Sequence, residues 1–154
     1  LIKVPANGGV VTLWKDEKAW KKERRKKENA HLREMLNVTD KSPWKYFSNE
    51  EAKGLVPDLM YKLDRARELY GFPFIITSGF RTPEENQRVH GVPNSAHLRG
   101  MAADIRMSQD PLFRMKMVWA LGKGGFVRVF VYTRHVHVDV DYSKPHPAFG
   151  ERQY

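Results

Sequence analysis

No cysteine occurs anywhere in the 154 residues, which excludes disulfides and thiolate-built metal ribbons and leaves the redox compartment open. Any metal bound here must be held by imidazole and carboxylate groups. Long apolar runs are missing too: no stretch approaches the eighteen or so residues of a membrane span. The opening, LIKVPANGGVV, lacks the charged-then-apolar order of a signal peptide, and since it begins at Leu rather than Met, export stays open. Acidic residues are outnumbered, 18 Asp and Glu against 27 Lys and Arg, for a net charge of +9 and a pI near 9.8. That surplus attracts polyanions such as nucleic acids and anionic cell-surface polymers, and by itself does not choose among them.

The length suits one domain with a real core and is short for two. Composition divides the chain into a basic extension with its linker at 1–44 and a domain at 45–154. Val4, Val10, Val11 and Leu13, around Pro5 and Gly8-Gly9, suggest a short strand or an extended arm. Lys15 to Glu28, KDEKAWKKERRKKE, holds eight basic and four acidic residues among helix formers, and predicts a solvated helix running on to about Leu36. It is either an exposed helix anchored through Trp14, Trp20, Leu32 and Leu36 or a polyanion-binding arm. Asn37 to Trp44 reads as the linker.

Within the domain, Ser48 and Glu51 form a capping-box pattern for a short helix ended by Gly54. Pro57 opens a core helix with Leu59, Leu63, Ala66 and Tyr70 on one face and Gly71 as its stop. Phe74 to Thr77, FIIT, predicts a short buried strand delivering Ser78, Gly79 and Arg81 to its end. Thr82, Pro83 and Glu85 then cap a following helix, so Arg81 is held firmly rather than on a loose loop. His90, at the end of that helix, reads as a capping or surface imidazole. Asp110 and Pro111 start a third helix, ended by Gly122, with Leu112, Met115, Val118, Trp119 and Leu121 available for packing and its methionines as core filler. Phe126–Tyr132 and His135–Val140 predict an antiparallel hairpin. The tail after Asp141 reads as irregular, and His31 and His146 as surface residues.

The stretch that organises the chain is SAHLRGMAAD, Ser95 to Asp104, together with HVHVD, His135 to Asp139. His97 and Asp104 in the first and an imidazole in the second supply the N, O and N donors that a hydrolytic zinc prefers, with one coordination position left for water. Gly100 provides conformational freedom between the two donors, and Ala102 and Ala103 let a strand pack closely. His97 is expected on a loop and Asp104 at the start of a strand. The two-residue period sets His135, His137 and Asp139 on one face and Val136 and Val138 on the other.

SAHLRGMAAD fits the SxHxxGxAxD signature of the zinc D-alanyl-D-alanine carboxypeptidases and L-alanyl-D-glutamate endopeptidases of cell-wall metabolism and phage lysis. SGFRTPEEN, Ser78 to Asn86, resembles that family's SG[FY]R[ST]xxxN segment, and HVHVDV its closing strand; the resemblance runs from about Tyr46 to Asp141. It implies zinc held by His97, Asp104 and His137, with Arg81 facing the scissile carbonyl. The alternative for Arg81 is pairing with a surface carboxylate. Ser95 either binds substrate or shapes the turn before His97. Many members carry an acidic general base three positions before the last ligand; here that position is Arg134. His135 becomes the candidate base, and Asp139 a carboxylate that orients His137.

The fold expected is α+β: a small antiparallel sheet carrying the zinc site, flanked by helices, behind the basic helical extension. The function the resemblance implies is a zinc metallopeptidase acting on peptidoglycan stem peptides at the cell wall, as a carboxypeptidase or a lysin-like endopeptidase. The basic extension could add contact with the anionic wall surface. The alternative is a non-catalytic zinc-binding structural or binding module of the same fold, favoured by Arg134. Nucleic acid is a weaker third partner, since the aromatics are scattered rather than set as stacking platforms.

Overall fold

The computed structural model describes residues 2–6, 9–13, 22, 25–28 and 42–152. Most of the basic run, Trp14, Trp20, His31, Leu32, Leu36 and the first part of the linker lie outside the described residues. Residues 22 and 25–28 are helical. This segment touches the body of the protein: the Tyr46 hydroxyl donates to Glu28 at 3.0 Å, and the Lys27 ammonium lies 4.3 Å over the Phe72 ring. The chain start forms two strands, β1 (Ile2–Ala6) and β2 (Gly9–Leu13), in an antiparallel pair with Ile2 opposite Leu13.

The first core helix, α1 (Pro57–Tyr70), begins at Pro57 and stops where Gly71 takes φ 81° and its N–H closes on the Arg67 carbonyl at 3.0 Å. Leu59, Leu63, Ala66 and Tyr70 are all buried. Helix α2 (Pro83–Arg88) carries the full reciprocal box between Thr82 and Glu85. Ser48 and Glu51 exchange the same two bonds, at 2.8 and 3.1 Å, yet the chain there makes only turns. A cap satisfies orphan donors but does not by itself offset the cost of nucleating a helix.

Helix α3 (Pro111–Lys123) is capped by the Asp110 carboxylate, which accepts from the Leu112 and Phe113 amides. It passes through Gly122 and buries Met117, Ala120 and Leu121, leaving Met115 and Trp119 exposed. Of the residues expected to be available for packing, Leu121 is buried and Val118 partly buried against the core, whereas Met115 and Trp119 are not covered. In an apolar helix almost every face can be drawn as a stripe, and the packing of α3 against α1 selects the one that is covered.

Five strands make the main sheet: β3 (Ile76–Ser78), β4 (Ala102–Arg106), β5 (Arg128–Val131), β6 (His135–Asp139) and β7 (Ala148–Glu151), in the order β3-β4-β6-β5-β7. The first four pair antiparallel, as expected. The sheet is nevertheless mixed, because β7 adds to β5 in parallel. The tail read as irregular because Pro147 and Gly150 disfavour a central strand; at a sheet edge both are tolerated. Val136 and Val138 are fully buried with Ala103, Ile105 and Val129 in the core shared with α1 and α3. Every second residue of β6 therefore faces away from that core, as the period of two requires.

Gly100 fixes how the chain enters β4. Its φ of 66° is left-handed, a Cβ there would lie 1.9 Å from the Gly54 carbonyl oxygen, and its own carbonyl accepts from the Val56 amide at 2.9 Å. Gly100→Ala should combine backbone strain with a clash against backbone and destabilise the protein by about 3 kcal/mol or more. A urea midpoint within error of the wild type would show that this close approach does not exist.

Candidate metal centre

Asp104 sits at the centre of β4, not at its start, and is the cross-strand partner of His137 on β6. Register alone thus brings a carboxylate and an imidazole from residues 33 apart in sequence into contact, with His137 Nδ1 3.0 Å from Asp104 Oδ1. His97 arrives on a short 3-10 helix, Ala96–Arg99, whose N-cap is Ser95 and whose stop is Gly100. Its Nε2 lies 3.3 Å from the same Asp104 oxygen. One ligand atom from each of His97, Asp104 and His137 falls within 4.8 Å of the others.

The hydrogen bonds around the cluster determine which atoms face inward. The Gly79 carbonyl, 2.7 Å from His97 Nδ1, can only accept, so Nδ1 carries the hydrogen and Nε2 presents its lone pair. That lone pair faces a carboxylate oxygen, an arrangement satisfied by a cation between them. His137 Nε2 is fixed 2.9 Å from Asp139 Oδ2, which leaves Nδ1 for the centre. Asp104 Oδ2 accepts from Arg81 Nη2 at 2.9 Å, which leaves Oδ1. Each inward atom therefore belongs to a group oriented by an outward partner, as metal ligands usually are. The donor set of two nitrogens and one oxygen fits a divalent metal of the zinc type.

Charge reinforces the geometry. Burial alone would raise the pKa of Asp104, but without a metal the neighbouring His137 and His97 imidazoles outweigh it and hold the carboxyl far below the usual carboxylate range. Burial would lower the pKa of His137; its bonds to Asp104 and Asp139 push it upward instead. Asp139 is 1% exposed and is itself held by Arg128 Nε at 2.8 Å and by the Asp141 amide at 3.1 Å. Asp139 thus orients His137, and Arg128, which sequence reading did not single out, orients Asp139. An arginine nine positions before the histidine carried no motif signal; only the β5–β6 pairing brings it to Asp139.

These groups floor a cleft of about 610 Å³ that also includes Ser95, His90, His135, Phe130, Tyr132, Lys144 and Arg152 in its walls. Arg81 lines it as well, and the carboxylate it pairs with is buried Asp104 rather than a surface group. Ser95 Oγ accepts from the His97 amide at 3.3 Å, so it shapes the turn while lining the cleft. His135 stacks on Tyr132 at 4.3 Å between centroids, and burial lowers its pKa. His90 was read as a capping or surface imidazole; it is exposed, at φ 56°, and belongs to the cleft wall. Arg134 is exposed in the β5–β6 turn and is not among the lining residues. His146 is exposed, with Nδ1 2.9 Å from the Lys144 carbonyl oxygen.

Comparison with known proteins adds an independent observation. Curated protein sequences include no match. Among solved structures, the crystal structure of Serratia marcescens L-Ala D-Glu endopeptidase ChiX is similar at 20% identity and a TM-score of 0.49, over 70% of this chain and 96% of that one. A family model described as Peptidase M15 matches residues 30–139. That span is more than half of the chain and takes in all three residues of the His-Asp-His cluster, so the chain belongs to the peptidase M15 family.

Proposed function

We propose that this protein is a zinc-dependent peptidase that hydrolyses peptidoglycan stem peptides, acting at the cell wall as a lysin-like endopeptidase at L-Ala-D-Glu bonds or as a D-Ala-D-Ala carboxypeptidase. The observation that carries the reading is the cluster of His97, Asp104 and His137 at the floor of a peptide-sized cleft, each donor oriented by its own outer partner. His97 Nε2, Asp104 Oδ1 and His137 Nδ1 would hold the zinc. When bound there, zinc supplies Lewis acidity toward water and toward a carbonyl oxygen.

The chain's own groups complete the chemistry. Arg81 uses Nη2 on Asp104 and Nε on Ser78 Oγ at 2.8 Å. Its remaining N–H groups are available to an oxyanion forming on the scissile carbonyl. Ser95 keeps its hydroxyl hydrogen for a substrate oxygen, since Oγ acts only as an acceptor toward His97. His135 takes the proton: the two cleft carboxylates, Asp104 and Asp139, are engaged by His and Arg partners, whereas burial favours the neutral form of the His135 imidazole. Arg81→Ala should lower turnover by about a hundredfold or more. Because Arg81 also holds Asp104, zinc affinity should fall too, by roughly tenfold or more. Unchanged turnover at saturating zinc would remove Arg81 from the chemistry.

One observation favours a second reading, a non-catalytic zinc-binding module. Arg134 occupies the position where an acid would be expected, and it lies outside the cleft wall. Incubation with purified peptidoglycan, with and without a chelator, followed by mass analysis of the fragments, decides between the two. Chelator-sensitive release of stem-peptide fragments supports the peptidase, and the bond cut identifies which type. No release at full zinc occupancy supports the binding module.

A further inference from the structure

Four cationic side chains line the cleft, Arg81, Arg128, Lys144 and Arg152, against two carboxylates, Asp104 and Asp139. Three of the four cations are engaged. Arg81 holds Asp104, Arg128 holds Asp139, and Lys144 lies 3.5 Å from Asp141 and donates to the Asn94 carbonyl at 3.2 Å. Arg152 differs: among the described residues its guanidinium has no acidic partner, and it lies over the Phe130 ring, 4.3 Å from the centroid. The parallel pairing of β7 with β5 puts it there, since Glu151 is opposite Val131 and the Arg152 amide donates to the Val131 carbonyl at 2.7 Å. Phe130 in turn tilts toward the His137 ring at 6.1 Å. Phe130 thus neighbours both an unneutralised guanidinium and a residue of the metal cluster. Arg152 also lies beyond residues 30–139, the span matched by the family model.

A guanidinium stacked on an aromatic face is pre-oriented, with its in-plane N–H groups free for bidentate binding of a carboxylate. We propose that Arg152, seated on Phe130, is a specificity-determining residue that binds a carboxylate of the substrate, so that the cleft selects acidic peptides. Because Phe130 neighbours both Arg152 and His137, the recognised carboxylate lies no more than about three residues of extended peptide from the scissile bond. This inference rests on the peptide-hydrolase reading of the cleft and adds the charge of the substrate to it.

The test is equilibrium binding, by calorimetry, of a non-cleavable analogue of L-Ala-D-Glu-L-Lys, with a ketomethylene group in place of the Ala–Glu amide, and of its counterpart with every carboxylate converted to carboxamide, to zinc-loaded full-length protein. The wild type should bind the acidic peptide about tenfold or more tightly than the neutral one, the scale of one charge-assisted hydrogen bond. Arg152→Gln should lose that preference while binding the neutral peptide as before, and Arg152→Lys should keep only part of it because an ammonium lacks the planar fork. Phe130→Leu, which keeps the charge and removes its seat, should also reduce the preference. No preference in the wild type, a preference that survives Arg152→Gln, or an equal loss for both peptides would each overturn the proposal. Acidic preference without cleavage of any peptidoglycan substrate would sink the peptidase reading and leave the recognition site standing; cleavage without preference would do the reverse.

Discussion

Replacing His97 by alanine is expected to reduce the zinc content of the purified protein from about one ion per chain to near zero, since a catalytic-type site with two remaining ligands does not hold the metal. The effect should be large because His97 is 2% exposed and cannot be replaced by a neighbouring donor without moving the 3-10 helix that carries it. Uptake should also depend on pH in a defined sense. Hydrogen bonds to Asp104 and Asp139 raise the pKa of His137 above the ordinary 6.5 against the opposing effect of burial, so its Nδ1 keeps a proton to higher pH than a free imidazole would. Zinc must displace that proton, and apparent affinity should therefore rise with pH through the His137 titration and fall as pH drops below it. Metal analysis and zinc titration at several pH values check both points. Full occupancy in His97→Ala would remove the cluster from consideration as the metal site.

His135→Ala is expected to lower turnover by about a hundredfold to ten-thousandfold with zinc retained, the range spanned by a positioned general base. His135 is two residues from His137 on the same face of β6, lines the cleft, and is kept in place by its stack on Tyr132. Burial lowers its pKa, and Asp104, which pulls the other way, is opposed by the neighbouring Arg81 and His137. A bound cation would lower it further. The base is competent when neutral, so the wild-type rate should climb with pH and level off earlier than an ordinary imidazole with a pKa of about 6.5 would allow. Other groups can produce a similar acid limb, so the variants carry the decision. If His135→Ala stays active while Asp139→Ala is dead with zinc bound, the base is Asp139. If only His90→Ala is dead, the rim imidazole takes the proton.

Several parts of the molecule were readable from residue order because their cause is local. Pro57 and Gly71 bound α1, Thr82 and Glu85 cap α2, and Asp110 caps α3, each through atoms within four residues of one another. The two-residue period of HVHVD set Val136 and Val138 on the face opposite His135 and His137, and it is the valine face that enters the core. The donor types of His97, Asp104 and an imidazole in HVHVD were likewise expected from residue order, with the choice of His137 resting on the family resemblance. None of this needed knowledge of what lies across the sheet.

What the sequence left open is what depends on pairing between distant segments. The β4–β6 register sets Asp104 beside His137, and the Gly54–Gly100 contact sets the entry to β4. The packed face of α3 was decided by α1, because an apolar helix does not announce which of its sides will be covered. Arg81 turned out to hold Asp104, and Arg128 to hold Asp139, through ion pairs between residues 23 and 11 positions apart. The parallel edge strand β7, from a Pro- and Gly-bearing tail, brings Arg152 over Phe130. Local sequence thus determined which chemical groups this protein carries and which short elements hold them. Tertiary structure alone decided which groups meet, because hydrogen-bond register and side-chain packing are properties of two segments together and are encoded in neither.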